Sequence, residues 1–236
     1  MPFRLLWPYY VMNYQMWPPV YERILDDFGY GRAGDERARD RLAALVTAFD
    51  ESRLDSLAGA TVAVAGAGPS LEAEAAVAAD AEVVIGASDA ADRLREVGVA
   101  VDLMVTDLDK TPATARDLTH EGVPVAVHAH GDNVPAVERW VPRLDGEYVL
   151  PTTQTEPTGA VRNYGGFTDG DRAAFLADAF GAAALRFPGW DFDDPSVGPE
   201  KRKKLAWAER LLHWLERRRD ERFAVLDGRR NNVDPI

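Results

Sequence analysis

Between residues 61 and 192 the chain alternates short apolar runs with segments of helical spacing, and this pattern constrains its fold more than any other feature. The runs fall at 61–65, 82–87, 103–106, 123–128, 147–152 and 183–187. Helices are predicted between them at 71–79, 89–97, 112–121, 134–141 and 169–180. Strands apolar along their whole length need cover on both faces. The alternation therefore predicts an α/β domain with a mostly parallel sheet of about six strands and helices on both sides.

The flanks differ from this centre. Tyr, Trp and Pro crowd residues 7–21, and helical spacing runs from 35 to 57, so residues 1–58 are expected to form a helical, aromatic cap. Residues 59–225 would be the α/β domain, ending in a long amphipathic helix over about 200–222 that carries Leu205, Leu211, Leu212, Trp214 and Leu215. Residues 226–236 are expected to be a tail, loose from Arg229 onward. The aromatic N-terminus is compatible with a homodimer.

Composition excludes several classes. The chain of 236 residues has no Cys, which rules out disulfides, thiolate zinc sites and cysteine nucleophiles. No run approaches the ~20 apolar residues of a membrane-spanning helix, and the first residues lack a signal-peptide layout, so a cytoplasmic location is expected. A formal charge of −12 argues against a nucleic-acid partner, which needs a basic face. With few Lys and abundant Asp, Glu and Ala, the chain looks adapted to high salt. The lysines are therefore conspicuous: Lys110 stands alone, while Lys201, Lys203 and Lys204 crowd together.

In open α/β sheets, ligands bind beyond the carboxyl ends of the strands. The first strand runs into Gly66-Ala67-Gly68-Pro69-Ser70, a turn whose glycines let backbone approach a phosphate. It is neither a P-loop nor a complete dinucleotide fingerprint. Ser88-Asp89 follows the second strand. The third opens onto Asp107-Leu108-Asp109; in an extended segment both carboxylates would face one point, with Leu108 turned away. Such a pair needs a cation, and hard oxygen ligands suit magnesium. The fourth strand ends in His128-Ala129-His130-Gly131-Asp132-Asn133, which lacks a third nitrogen or thiolate for zinc and suits a phosphate- or magnesium-facing loop. Thr152-Thr153-Gln154-Thr155 and Gly189-Trp190-Asp191-Phe192 close the fifth and sixth. Acids, glycines and few nucleophiles together suggest phosphoryl or diphosphoryl transfer from a nucleotide.

The ordered set Gly66-Ala67-Gly68-Pro69-Ser70-Leu71, Ser88-Asp89-Ala90, Val105-Thr106-Asp107-Leu108-Asp109, His128 to Asn133, Thr152 to Thr155, Asn163 to Ala173, Gly189 to Phe192 and Lys203-Lys204-Leu205 resembles the archaeal 6-hydroxymethyl-7,8-dihydropterin diphosphokinases. Their Rossmann-like fold is related to that of thiamine diphosphokinases. The thiamine enzymes carry Ser where this chain has Lys110, and append a β-rich domain missing here.

The resemblance implies transfer of diphosphate from ATP to the hydroxymethyl group of a reduced pterin, for folate or methanopterin-type cofactor synthesis. It implies Asp107, Asp109 and Asp132 as catalytic acids, and these three with Asp89 as ligands or water-holders for Mg2+. Gly66, Gly68, Pro69, Ser70, Asp89, Gly131, Lys203 and Lys204 would bind the nucleotide. Thr153, Gln154, Asn163 and Asp191 would bind the pterin. Four alternatives stand beside it: a diphosphokinase for another alcohol such as thiamine, an adenosylmethionine-dependent methyltransferase, a sugar-nucleotide transferase, and a non-catalytic nucleotide sensor.

Overall fold

The computed structural model describes residues 16–236. Six strands form one all-parallel sheet: β1 (Thr61–Ala65), β2 (Val83–Ala87), β3 (Leu103–Thr106), β4 (Val125–Ala129), β5 (Val149–Thr153) and β6 (Ala184–Arg186). Their order is β5-β4-β3-β2-β1-β6. The chain steps from β1 outward to β5 and then returns past β1 to add β6 on its free side. Two helices, α1 (Pro18–Phe28) and α2 (Arg32–Ala43), precede the sheet. The helices of the outward steps are α3 (Ala75–Ala79), α4 (Ala90–Glu96), α5 (Pro112–His120) and α6 (Val134–Trp140). They pack on one face, through Ala78, Leu94, Leu118 and Val137. The return step carries α7 (Asp169–Ala179). Because crossovers are right-handed, reversing direction places α7 on the opposite face, where Ala173 to Ala177 join the core.

Long helix α8 (Pro199–Arg219) covers the same face with Trp207, Ala208, Leu211, Leu212 and Leu215, one apolar stripe at helical spacing. Successive strand residues divide between the two cores: Val62 and Val64 on the α7 side, Ala63 and Ala65 on the other.

Helix α1 starts on Pro18 and stops at left-handed Gly29, and it buries Val20, Tyr21, Ile24 and Leu25. Helix α2 lies against β4, β5 and α6. The continuous helix expected over 35–57 is broken after α2. Asp50 accepts hydrogen bonds from the Ser52 N–H and hydroxyl and starts a separate 3-10 turn, Glu51–Leu57. The helix expected from residue 71 begins only at Ala75. Its first turn is drawn toward the β6 loop, where Glu74 accepts the Gly189 N–H. The tail is not loose either: Arg229 binds Glu209 and Asp193, Arg230 binds Glu216 and Asp227, and Asp234 binds Arg210. The first fifteen residues, which hold much of the aromatic stretch, lie outside the described residues. No described helix is long and apolar enough to cross a membrane.

Candidate active site

Loops at the strand ends line one cavity of about 910 Å³. That is near the upper end of the ~300–1,000 Å³ typical of small-molecule sites, and suits two substrates side by side. The cavity sits where the chain reverses direction, between the loops after β1 and β6.

These two loops are bonded to each other. Gly66 N–H donates to the Pro188 carbonyl, Gly68 N–H to the Gly189 carbonyl at 2.8 Å, and the Ser70 N–H and hydroxyl both donate to Asp191 Oδ2. Gly68 must be glycine for space: a Cβ there would lie 2.3 Å from Asp191 Oδ2 and 2.7 Å from the Gly189 carbonyl oxygen. Gly66 and Gly68 line the cavity; Pro69 and Ser70 do not, since Asp191 covers the serine. Trp190 donates its indole N–H to the Val64 carbonyl, and with Phe167, Phe192, Tyr30 and Leu205 it gives the cavity an aromatic and apolar side.

The cavity also carries several acids. Asp107 and Asp109 do converge, though by a different route from strand alternation. The strand ends at Thr106, whose hydroxyl accepts the Leu108 N–H; Leu108 takes a left-handed conformation (φ 66°), and Asp107 Oδ1 accepts the Asp109 N–H. Leu108 is buried in the core on the α4–α5 side, which offsets the conformational cost of order 1–2 kcal/mol. Burial raises the Asp107 carboxyl, but hydrogen bonds from His130 and Asp109 and the Arg172 charge more than reverse this, leaving it well below the usual carboxylate range. Burial, with the hydrogen bond to Asp107 and its charge, pushes Asp109 up to about 6. The two therefore compete for one proton. A third acid joins them: Asp169, at the start of α7, is pushed up to about 7 by burial and then by the Asp107 charge, with Arg172 opposing.

His130 Nε2 lies 3.2 Å from Asp107 Oδ2, and its Nδ1 accepts the Asp132 N–H, which places the ring proton on the nitrogen facing Asp107. Lys110 reaches back to Asp89 at 3.1 Å. Among the described residues no three carboxylate or imidazole groups converge at metal-ligating distance. Magnesium commonly takes only one or two protein carboxylates, with water and substrate phosphates completing its shell. The touching Asp107 and Asp109 carboxyls, with Asp169 beside them, therefore fit such an ion.

Asp89, Gly131, Asp132, Gln154, Asp191 and Lys204 also line the cavity. Three further expected site residues do not. Thr153 is buried with its hydroxyl toward the Ala129 carbonyl. Asn163 bridges the Thr155 carbonyl and the Gly165 N–H. Lys203 lies over the Phe28 ring and pairs with Asp27, so it ties α8 to α1. Conversely, Asp169, Arg172 and Asp35 line the cavity without having been assigned a role. Arg172 carried a readable signal, a cation at the head of a helix that is otherwise buried. Asp35 carried none, being one of several acids on a highly charged helix.

This fold, with a glycine turn and several acids lining one cavity at the strand ends, defines an α/β enzyme of the phosphoryl-transfer class. A family model described as 6-hydroxymethylpterin diphosphokinase, MptE-like, matches residues 40–196. Three relatives, each named 6-hydroxymethyl-7,8-dihydropterin pyrophosphokinase, align along most of the chain. That of Methanothermobacter thermautotrophicus is 40% identical, covering 90% of this chain and 99% of the relative. That of Pyrococcus furiosus is 38% identical (87% and 95% covered), and that of Methanocaldococcus jannaschii 30% identical (87% and 96%). The chain belongs to the MptE-like 6-hydroxymethylpterin diphosphokinase family. That membership removes the ground for reading the glycine turn as a methyltransferase site or the acid pair as a sugar-nucleotide transferase.

Proposed function

We propose that this protein is a 6-hydroxymethyl-7,8-dihydropterin pyrophosphokinase, transferring diphosphate from ATP to the hydroxymethyl group in tetrahydromethanopterin or folate-type cofactor synthesis. The alcohol oxygen forms a bond to the β-phosphorus, the bond from that phosphorus to the oxygen bridging it to the α-phosphate breaks, and AMP leaves. The observation that carries the reading is a cavity lined by a glycine turn, a group of acids and an aromatic wall that packs beside that turn, in a chain of this family.

Asp107 and Asp109 would hold Mg2+, which supplies charge neutralisation at the phosphate oxygens. Asp89 and Asp132, which also line the cavity, would hold the ion's water. Gly66 and Gly68, which lack side chains, let the phosphates approach the turn, and the Lys204 ammonium would take their charge. The aromatic wall around Trp190 receives a flat heterocycle. Asp191 lies beside it, and a carboxylate pairs with the planar amino-amide edge of a pterin.

Mixing the protein with ATP, magnesium and hydroxymethyl-dihydropterin at high salt tests this. AMP and pterin diphosphate formed in equal amounts, only with metal, are expected. AMP with thiamine and none with the pterin would refute the substrate assignment while leaving the chemistry.

A further inference from the structure

Asp35 is a carboxylate on α2 with only 5% of its surface exposed, far along the chain from every strand end. Its Oδ1 accepts the Gly131 N–H at 2.7 Å, in the loop that carries His130 and Asp132. Its Oδ2 accepts the Tyr21 hydroxyl and, at 2.8 Å, the Gln154 Nε2. This fixes the direction of the Gln154 amide, whose Oε1 then accepts from Arg172 Nη2 at 3.0 Å. Arg172 Nη1 in turn donates to Asp169 Oδ1 at 3.0 Å. Just before α1, the Trp17 indole N–H donates to the Gln154 carbonyl, so the backbone is held as well as the side chain. Asp35, Gln154 and Arg172 are all buried, and the two links from Arg172 through Gln154 to Asp35 run donor to acceptor in one direction.

Resting on the diphosphokinase reading, we infer that Asp35 and Gln154 are positioning residues for the transfer: Asp35 aligns the Gln154 amide, Gln154 holds the Arg172 guanidinium against the Asp107–Asp109–Asp169 acids, and the same carboxylate clamps the Gly131 loop. The N-terminal helices thus help to build the site. Gln154, although it lines the cavity, uses both ends of its amide within the protein. An acceptor at position 35 is required because Arg172 holds the Gln154 Oε1, leaving the N–H2 a buried donor with nothing else to accept it.

The polarity of the relay can be inverted. Asp35→Asn alone sets an amide N–H2 against either the Gln154 N–H2 or the Gly131 N–H. Adding Gln154→Glu gives that new amide a carboxylate to donate to, gives Arg172 a carboxylate to bind, and keeps one negative charge in the pair. In Asp35→Asn, kcat per folded molecule is expected to fall ~10-fold or more with the ATP KM within ~3-fold, and Asp35→Asn/Gln154→Glu should return kcat to within ~3-fold of wild type. Thermal melts of each variant separate stability from turnover. If Asp35→Asn fails to fold, Gln154→Met, which cuts only the middle link, carries the same expected loss in kcat. A kcat within twofold of wild type in the single variants, or a double variant that recovers its melting temperature without its kcat, would overturn the inference. Wild-type protein inactive with the pterin would instead overturn the diphosphokinase reading.

Discussion

Gly68→Ala is the most quantitative test of how the loops after β1 and β6 form the site. The added methyl would sit 2.3 Å from Asp191 Oδ2, 2.7 Å from the Gly189 carbonyl oxygen and 3.1 Å from Asp191 Cβ, so the two loops must separate. Overpacking of this kind costs about 1–3 kcal/mol. Separation also strains the Gly68–Gly189 hydrogen bond and the two from Ser70 to Asp191, each worth about 1 kcal/mol. Taking about 3 kcal/mol as the sum, a domain of this size should lose about 6–12 °C in melting temperature. Gly146→Ala is the control, since nothing lies within 4 Å of its added Cβ and its φ is not positive. It should leave the melt within ~2 °C of wild type. Differential scanning fluorimetry reads both, and steady-state assays of folded protein should show an ATP KM raised ~10-fold in Gly68→Ala, about 1.4 kcal/mol of phosphate binding. A melt and KM matching those of Gly146→Ala would show that the contact between these loops does not shape the phosphate turn.

Asp107→Asn should abolish nearly all turnover with circular dichroism unchanged; retention of more than about a tenth of wild-type activity would remove it from the metal site. Lys204→Ala should raise the ATP KM, whereas Lys203→Ala should lower the melting temperature by releasing Asp27 and Phe28 and leave that KM alone; the reverse pattern would reassign the two lysines. Asp109 and Asp169 hold protons up to about 6 and 7, against 3.8 for a free carboxyl, so the folded state binds more protons than the unfolded chain between those values. Their contribution to stability is complete below about pH 4 and lost as pH rises through 6 and 7. Magnesium competes for the same carboxyls, so it should raise the melting temperature more at about pH 7.5 than at about pH 5; an equal gain at both would place the ion elsewhere.

Most of the fold was legible because its strands are apolar on both faces and punctuated by glycine or helix-capping residues. β1 and β3 fall at 61–65 and 103–106 as expected, and the other strands shift by a residue or two. What sequence spacing could not give was the means of convergence. Asp107 and Asp109 were expected to share a side of an extended strand; they meet instead across a left-handed Leu108, a conformation whose cost only a buried side chain makes tolerable. The helix α1 was hidden among aromatics, although Pro18 and Gly29 mark its two ends. The Asp35–Gln154–Arg172 relay joins three elements brought together only by the sheet, and no local pattern distinguishes Asp35 from Glu36 or Asp40. Lys203 was conspicuous by rarity, yet rarity does not say which way a side chain points. Its neighbour Lys204 faces the cavity, while Lys203 turns to α1.

The return of the chain to β1 also sets an order of events in biosynthesis. Ser70 and its partner Asp191 are separated by 121 residues, and β6 pairs only with β1. Until β6 arrives, β1 is an open sheet edge bearing a run of buried-type residues, the kind of surface that pairs with other chains. Contacts this distant in sequence form slowly, and the N-terminal part of the chain leaves the ribosome first. Chains truncated before residue 184 should therefore aggregate through β1, and nucleotide capture at residues 66–68 becomes available only once the chain has been made through Asp191.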